Sequence, residues 1–319
     1  MSITIRPGMT IRPGTSIRIP ALPLVTNGML LNFDAATYTG QTTGSQQNVS
    51  GTSDNIGFFP YGWGSAPPTG FGNICPGWIC DQTGAVVATV DNVNHTITTT
   101  GTPFTSGNSY TFTGPWVDQL SGVLATSYNN PVWSNSNGGT FILDASASQY
   151  FSVPWPTFQP TFTLDIWFNY TANQTGGAPC LISDEFTGAP FNFTILSGGN
   201  AVQTGWYTTN WTGQFATNNV ATALTHDGST WYNLVMAVGA TTYKDYINGS
   251  VSYDPGSFGS IGIAAPNGSS PTQRFFIGKR WDQNDTVNAK MAVVNIYNRS
   301  LNDAEVLQNF NHYKARFGL

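Results

Sequence analysis

The sequence predicts an all-β protein: an antiparallel sandwich closed near its end by one short helix. Three observations carry this. From Thr140 to Gly278, short apolar or alternating runs recur between Gly, Pro, Asn and Ser clusters, the composition of strands joined by turns. Met291, Val293, Asn295 and Tyr297 alternate with Ala292, Val294 and Ile296, a near-continuous apolar run that reads as a strand covered on both faces. Charged residues make up only 8% of the 319 residues, against about 25% in ordinary globular domains, while Gly, Thr, Ser, Asn and aromatics are abundant.

Residues 1–23 read as an extended N-terminal arm. Thr4-Ile-Arg-Pro-Gly8, Thr10-Ile-Arg-Pro-Gly14 and Ser16-Ile-Arg-Ile19 repeat one unit, and the Pro-Gly breaks forbid a helix. Ile3, Ile5, Ile11 and Ile17 supply β-branched pairing positions, and Arg6, Arg12 and Arg18 recur every six residues. Such an arm either adds strands to a neighbouring chain or is a disordered tail. The first sandwich strand follows at Leu24 to Ala35, with its continuation from Trp116 onward. Residues 24–39 and 116–319 then form the sandwich, and residues 40–115 are an insertion. Within the insertion, Phe58 to Trp78 reads as an irregular aromatic loop. Ala85 to Val90 with His95 to Thr100 reads as a hairpin, and Ser109 to Thr113 as a third strand, together a small β subdomain.

The predicted strands continue with Thr140 to Leu143, Tyr150 to Val153, Thr161 to Tyr170, Cys180 to Ser183 and Phe191 to Leu196. Trp231 to Val238, Tyr243 to Asn248 and Phe275 to Gly278 follow. Asp165 places a charge inside an apolar run, and the reading favours solvent or hydrogen bonds from a loop. The helix spans Leu301 to Phe317, capped by Ser300 or Asn302 with Asp303 or Glu305 three residues on. Its apolar stripe is read as Leu301, Ala304, Leu307, Gln308 and Tyr313.

Asn295-Ile-Tyr-Asn-Arg-Ser-Leu-Asn-Asp-Ala-Glu305, preceded by Phe276-Ile-Gly278, resembles the closing segment of the concanavalin A-like lectin and laminin G-like jelly rolls. Trp231 to Val238 with Tyr246-Ile-Asn-Gly249, and Phe141 to Asp144 with Tyr150 to Val153, extend the resemblance over about the last 180 residues. Met29-Leu-Leu-Asn-Phe-Asp-Ala35 and Trp116-Val-Asp-Gln-Leu-Ser-Gly122 resemble the opening of the same domain in structural proteins of tailed phages. The resemblance implies a concanavalin A-like antiparallel jelly roll with a short C-terminal helix, here carrying an inserted β subdomain and an N-terminal arm.

The net charge of −5 and the absence of a basic stripe argue against nucleic-acid binding. No apolar run reaches the eighteen or so residues of a membrane span, and no signal-peptide pattern opens the sequence. Sequons at Asn48, Asn169, Asn192, Asn210 and Asn248 are read as chance in an Asn- and Thr-rich chain, made in a host cytoplasm.

Some members of the resembled group cleave polysaccharides with two glutamates and an aspartate on one strand, so hydrolysis has to be weighed. The chain has two glutamates, Glu185 and Glu305; Glu305 suits capping, and Asp184 and Glu185 would point to opposite sheet faces. No Gly-x-Ser-x-Gly elbow accompanies His95, His226 or His312. No catalytic residue is assigned. Cys75 and Cys80 lack a second ligand pair at zinc spacing and are read as a local disulfide or free thiols, with Cys180 as core. No cofactor is expected apart from calcium, which laminin G-like domains often hold. Asp282, Asn284 and Asp285 are the candidate ligands, with a solvated turn as the competing reading. For glycans, rings beside amides and carboxylates are the needed chemistry, and the candidates are Trp206, Tyr207, Asn210, Trp211, Trp281 and Asp282.

The sequence thus leads to the expectation of a non-enzymatic virion structural protein of a tailed phage, a capsid decoration protein on the virion surface. Its expected partners are other virion proteins and copies of itself, as a homotrimer by analogy with other virion spikes. A carbohydrate-binding adhesin for host-surface glycans is the alternative, and a polysaccharide hydrolase stands far behind.

Overall fold

The structure is a computed structural model. It describes residues 23–37, 41–45, 77–80, 86–91, 96–99, 109–113, 116–129, 131–154, 161–171, 179–184, 192–195, 202–205, 218–219, 224–256, 274–280 and 285–319. In chain order the strands are β1 (Met29–Asp34), β2 (Gln41–Ser45), β3 (Gly77–Cys80), β4 (Val86–Asp91), β5 (Thr96–Thr99), β6 (Ser109–Thr113) and β7 (Trp116–Val117). Then come β8 (Leu124–Tyr128), β9 (Val132–Ser134), β10 (Thr140–Leu143), β11 (Tyr150–Pro154), β12 (Phe162–Tyr170), β13 (Cys180–Asp184) and β14 (Asn192–Ile195). The last are β15 (Val202–Gly205), β16 (Asn218–Asn219), β17 (Tyr232–Val238), β18 (Tyr243–Ile247), β19 (Ser250–Tyr253), β20 (Arg274–Ile277) and β21 (Ala289–Tyr297), before helix α1 (Asp303–Tyr313).

Two antiparallel eight-stranded sheets form the sandwich. The first runs β19-β18-β17-β12-β21-β10-β9, with β1 also on β21. β1 pairs with the Val293–Tyr297 half of β21 and β10 with the Ala289–Met291 half, so two short strands share one long edge end to end. The second runs β16-β15-β14-β13-β20-β11-β8-β7. A third sheet, β2-β6-β3-β4-β5, contains only strands between residues 41 and 113. The hairpin expected there is β4 with β5, but Gly77 and Trp78, read as the end of an irregular loop, instead begin β3.

Strand alternation explains where the core sits. Phe162, Leu164, Ile166, Phe168 and Tyr170 of β12 face inward with Phe151, Val153, Phe275 and Ile277 of the second sheet, in one continuous apolar cluster. The intervening Trp167 faces the other way, where it packs with Ala292, Val293, Tyr313 and Phe317. The first sheet is therefore covered twice, by the second sheet and by α1 with its following 3-10 turn, as the apolar run of β21 requires. Trp167 stacks on Phe317 at 4.5 Å and 19°, and on Phe310 at 5.7 Å and 4°.

The helix starts as its sequence indicates. Asn302 is the N-cap, and it exchanges hydrogen bonds with Glu305 in a capping box. The buried stripe differs from the one read by eye: Val306, Asn309 and Tyr313 are buried, whereas Leu307 is 47% exposed. The stripe is offset because Asn309, a polar residue, occupies its centre. Its partner is Asp165, and here the structure overturns the expected solvent or loop environment. Asp165 is fully buried under the helix. Its Oδ1 accepts from Asn233 Nδ2 at 2.7 Å, and its Oδ2 accepts from Asn295 Nδ2 at 3.3 Å and Asn309 Nδ2 at 3.2 Å. Asn309 Nδ2 also donates to the Tyr297 hydroxyl at 2.8 Å, which donates to Val25 O at 3.0 Å, while Val25 N donates to Asn309 Oδ1 at 3.0 Å. One carboxylate thus joins two strands, the helix and the segment leading into β1.

The two halves of the split opening pattern meet. Gln119 N donates to Asn32 O at 2.8 Å, Asn32 N donates to Asp118 Oδ1, and the Phe33 and Trp116 rings lie 5.6 Å apart. Trp116 does not continue β1 within its sheet, however. β7 pairs with β8 in the second sheet, so the chain crosses the sandwich and Trp116 fills the space between the layers.

Candidate functional site

On the second sheet, the alternation that sends Phe151, Phe275 and Ile277 inward sends Tyr150, Ser152, Arg274 and Phe276 outward. Tyr128 of β8 lies directly across from Tyr150 of β11, and the two rings stack at 4.5 Å with an interplanar angle of 5°. Phe276 of β20 meets Tyr150 edge-on at 5.6 Å and 89°. The Lys279 Nζ sits 4.7 Å from the Tyr150 ring centre and 5.1 Å from that of Phe276, a cation–π position that holds the ammonium over the rings. The Arg274 guanidinium donates through Nε to the Ser152 hydroxyl and through Nη2 to Ser152 O at 3.1 Å. Tyr128 is 38% exposed, so the platform reaches solvent. Burial and the neighbouring Tyr128 raise the Tyr150 hydroxyl above its ordinary pKa, and Arg274 opposes them. The hydroxyl therefore remains a neutral donor and acceptor through the physiological range.

Rings, hydroxyls and two cations on one sheet face supply the stacking, hydrogen-bonding and charge that recognition of a polar ligand uses. The sequence could have shown it. Tyr150-Phe-Ser-Val153 and Arg274-Phe-Phe-Ile277 alternate in phase, but a strand reading alone does not say which of the alternating side chains face outward.

Two buried carboxylates have raised pKa values, the usual mark of acid–base chemistry. Burial pushes Asp165 up to about 6 against the opposing amide bonds of Asn233, Asn295 and Asn309. Burial likewise pushes Asp245 up to about 7, opposed by the Tyr243 and Thr204 hydroxyls; Thr204 Oγ1 donates to Asp245 Oδ2 at 2.7 Å. Both carboxylates have zero exposure, and they lie on opposite faces of the first sheet, Asp165 under the helix and Asp245 with Tyr243 between the sheets. They cannot flank one glycosidic bond. Glu305 is held by the capping box and a bidentate pair with Arg299 at 2.7 and 2.8 Å, which lowers its pKa. His226 and Asp227 lie in a turn, where the Asp227 carboxylate accepts from Ser229 N and Thr230 N. His312 lies on α1, and Cys180 is buried in β13.

The glycan candidates Trp206, Tyr207, Asn210, Trp211, Trp281 and Asp282 lie outside the described residues, as do Asn284, Glu185, His95, Cys75 and the arm positions Ile3, Ile5, Arg6, Ile11, Arg12, Ile17 and Arg18. Of the calcium candidates only Asp285 is described, and its carbonyl accepts from Arg280 N at 3.0 Å. Among the described residues no group of three or more His, Cys, Asp or Glu could hold a metal ion. Among them, too, no helix is long and apolar enough to cross a membrane.

A laminin G-type family model, described as the concanavalin A-like lectin/glucanases superfamily, matches residues 144–307. The chain belongs to that superfamily. No curated protein sequence matches it. Solved structures with a similar fold include the binding domain of botulinum neurotoxin serotype G, at 13% identity over 61% of this chain and 47% of that one, with a TM-score of 0.46. Domain 4 of AbnA, an extracellular GH43 arabinanase from Geobacillus stearothermophilus in complex with arabinotriose, matches at 12% identity over 60% of this chain and 91% of that domain, with a TM-score of 0.46. Trypanosoma rangeli sialidase matches at 15% identity over 61% of this chain and 30% of that one, with a TM-score of 0.44. The aligned part thus spans about half of the neurotoxin binding domain and less than a third of the sialidase.

Proposed function

We propose that this protein is a non-enzymatic structural protein of a tailed-phage virion, a decoration protein whose laminin G-like domain stands on the particle surface. The observation that carries the proposal is the reunion of Met29–Ala35 with Trp116–Gly122 through the Asn32, Asp118 and Gln119 bonds. These are the two segments whose sequences resemble the opening of the phage-type domain. The non-enzymatic part is supported by how the described carboxylates are used: Asp34 pairs with Arg316, Asp118 closes a turn, Asp303 and Asp254 flank Lys244, and Glu305 holds Arg299. Residues 1–23 are the proposed assembly arm to other virion proteins and to copies of the chain in a homotrimer, and residues 40–115 the proposed insertion. Calcium at Asp282, Asn284 and Asp285 is a further proposal.

Antibody-gold labelling of intact particles tests the location, and labelled heads are the expected result. Deleting residues 1–20 should leave a folded domain that no longer joins particles; incorporation at normal copy number would refute the role of the arm. A second reading, a glycan-binding adhesin, is favoured by the Tyr128–Tyr150 platform and is tested on a glycan array. Release of reducing sugar from a host polysaccharide would overturn the non-enzymatic reading.

A further inference from the structure

We propose that the outer face of the second sheet binds an acidic saccharide, one bearing carboxylate or sulfate groups, with Arg274 meeting the anion and the hydroxyls and exposed edge of the Tyr128–Tyr150 pair meeting the sugar. The inference builds on the adhesin reading and adds the chemical class of the ligand.

The argument begins with charge. The chain carries 11 Lys and Arg against 16 Asp and Glu, so its overall field repels anions and any anion site must be built locally. Three described cations are neutralised: Lys244 by Asp254 and Asp303, Arg299 by Glu305, and Arg316 by Asp34. Arg274 differs. Its hydrogen bonds go to the hydroxyl and carbonyl of Ser152, both neutral acceptors, and no carboxylate among the described residues pairs with it. These bonds fix the guanidinium through Nε and Nη2 and do not use Nη1. A planar fork held on one side is suited to accepting a carboxylate or sulfate on the other. Ser152 is 1% exposed, so the anchor itself is rigid.

The second element is the platform. The Tyr128–Tyr150 stack is adjacent on the same outer face, with Phe276 and the Lys279 ammonium beside it. The two rings cover one another and Lys279 lies over Tyr150, so the pair offers a sugar its hydroxyls and the exposed surface of Tyr128, apolar ring carbon beside polar partners. A nucleic acid would require a longer series of cations following its phosphates than this face provides. One anchored guanidinium beside a ring platform fits a sugar with one acidic group per residue or two.

The test is isothermal titration of the full chain with trigalacturonate, its methyl-esterified form, a neutral galactose trisaccharide and inorganic sulfate, all at low salt. Trigalacturonate should bind at least tenfold more tightly than the ester. Arg274→Gln should remove that preference, and Arg274→Lys should restore part of it. Tyr128→Ala should weaken all oligosaccharides, and circular dichroism checks that each variant is folded. Tight binding of neutral sugars with unchanged affinity in Arg274→Gln would overturn this inference and leave the adhesin reading standing. Sulfate binding as well as the oligosaccharide would overturn the platform. Binding of no saccharide here or on the array would overturn both the inference and the adhesin reading, while particle labelling would still decide the virion assignment.

Discussion

Replacing Asp165 by Asn isolates one buried charge at the junction of sheet, helix and leading segment. The folded protein raises the Asp165 pKa from 3.8 to about 6 because burial outweighs three amide hydrogen bonds. A shift of roughly two units corresponds to about 3 kcal/mol. The sign follows from proton binding. The folded state holds this proton more tightly than the unfolded state, so the contribution to stability is full below about pH 4 and lost as pH rises through 6. In Asp165→Asn the group cannot ionise, and the Asn295 amide can turn to present its unpaired Oδ1 to the new NH2. Urea unfolding of both proteins from pH 4 to pH 8 provides the measurement. The stability of the wild type relative to the variant should fall by about 2 kcal/mol between pH 4 and pH 7 and be level above that. Asp245, whose pKa is also raised, titrates in both proteins and cancels in the difference. Parallel profiles would refute the reasoning, because they would mean that burial of Asp165 imposes no differential cost on its charge.

Three other changes probe the frame. Asn302→Ala removes the helix cap and should cost about 1 kcal/mol in urea unfolding, while Asn302→Gly should cost only a few tenths. Gly139→Ala should lower the thermal midpoint severely, by the equivalent of about 3 kcal/mol or more, since a Cβ there would lie 2.2 Å from Ala35 O at a φ of +133°. Replacing residues 40–115 by a short Gly-Ser linker should leave one cooperative unfolding transition, because among the described residues the strands of that sheet pair only with one another; loss of that transition would show that the sandwich depends on the segment.

The sequence disclosed most where the cause was local. The two-sided apolar run of Met291 to Tyr297, the capping box of Asn302 and Glu305, and the β4–β5 hairpin are each specified by neighbouring residues, and each is present. The surroundings of Asp165 are not legible locally because its three donors lie 68, 130 and 144 residues away, beyond any periodicity. The short strands β8 and β9 escaped notice because Thr, Ser and a few apolar residues give little pattern over three to five positions. The tyrosine platform is hidden in the sequence for another reason. Aromatic residues in a strand are ordinarily assigned to the core, and only pairing across β8, β11 and β20 places Tyr128, Tyr150 and Phe276 on the open side.

The bonds from Val25 to Asn309 and Tyr297 have a consequence for orientation. The segment leading into the sandwich and the helix ending it occupy the same outer layer, two sheets away from the tyrosine platform. A tether attached after Leu319 would therefore leave from the back of the domain, with the platform turned toward whatever the tether faces away from. The domain behaves in this respect like a badge pinned from behind: a biotin coupled after Leu319 on a sensor chip would present the Tyr128 face to the solution.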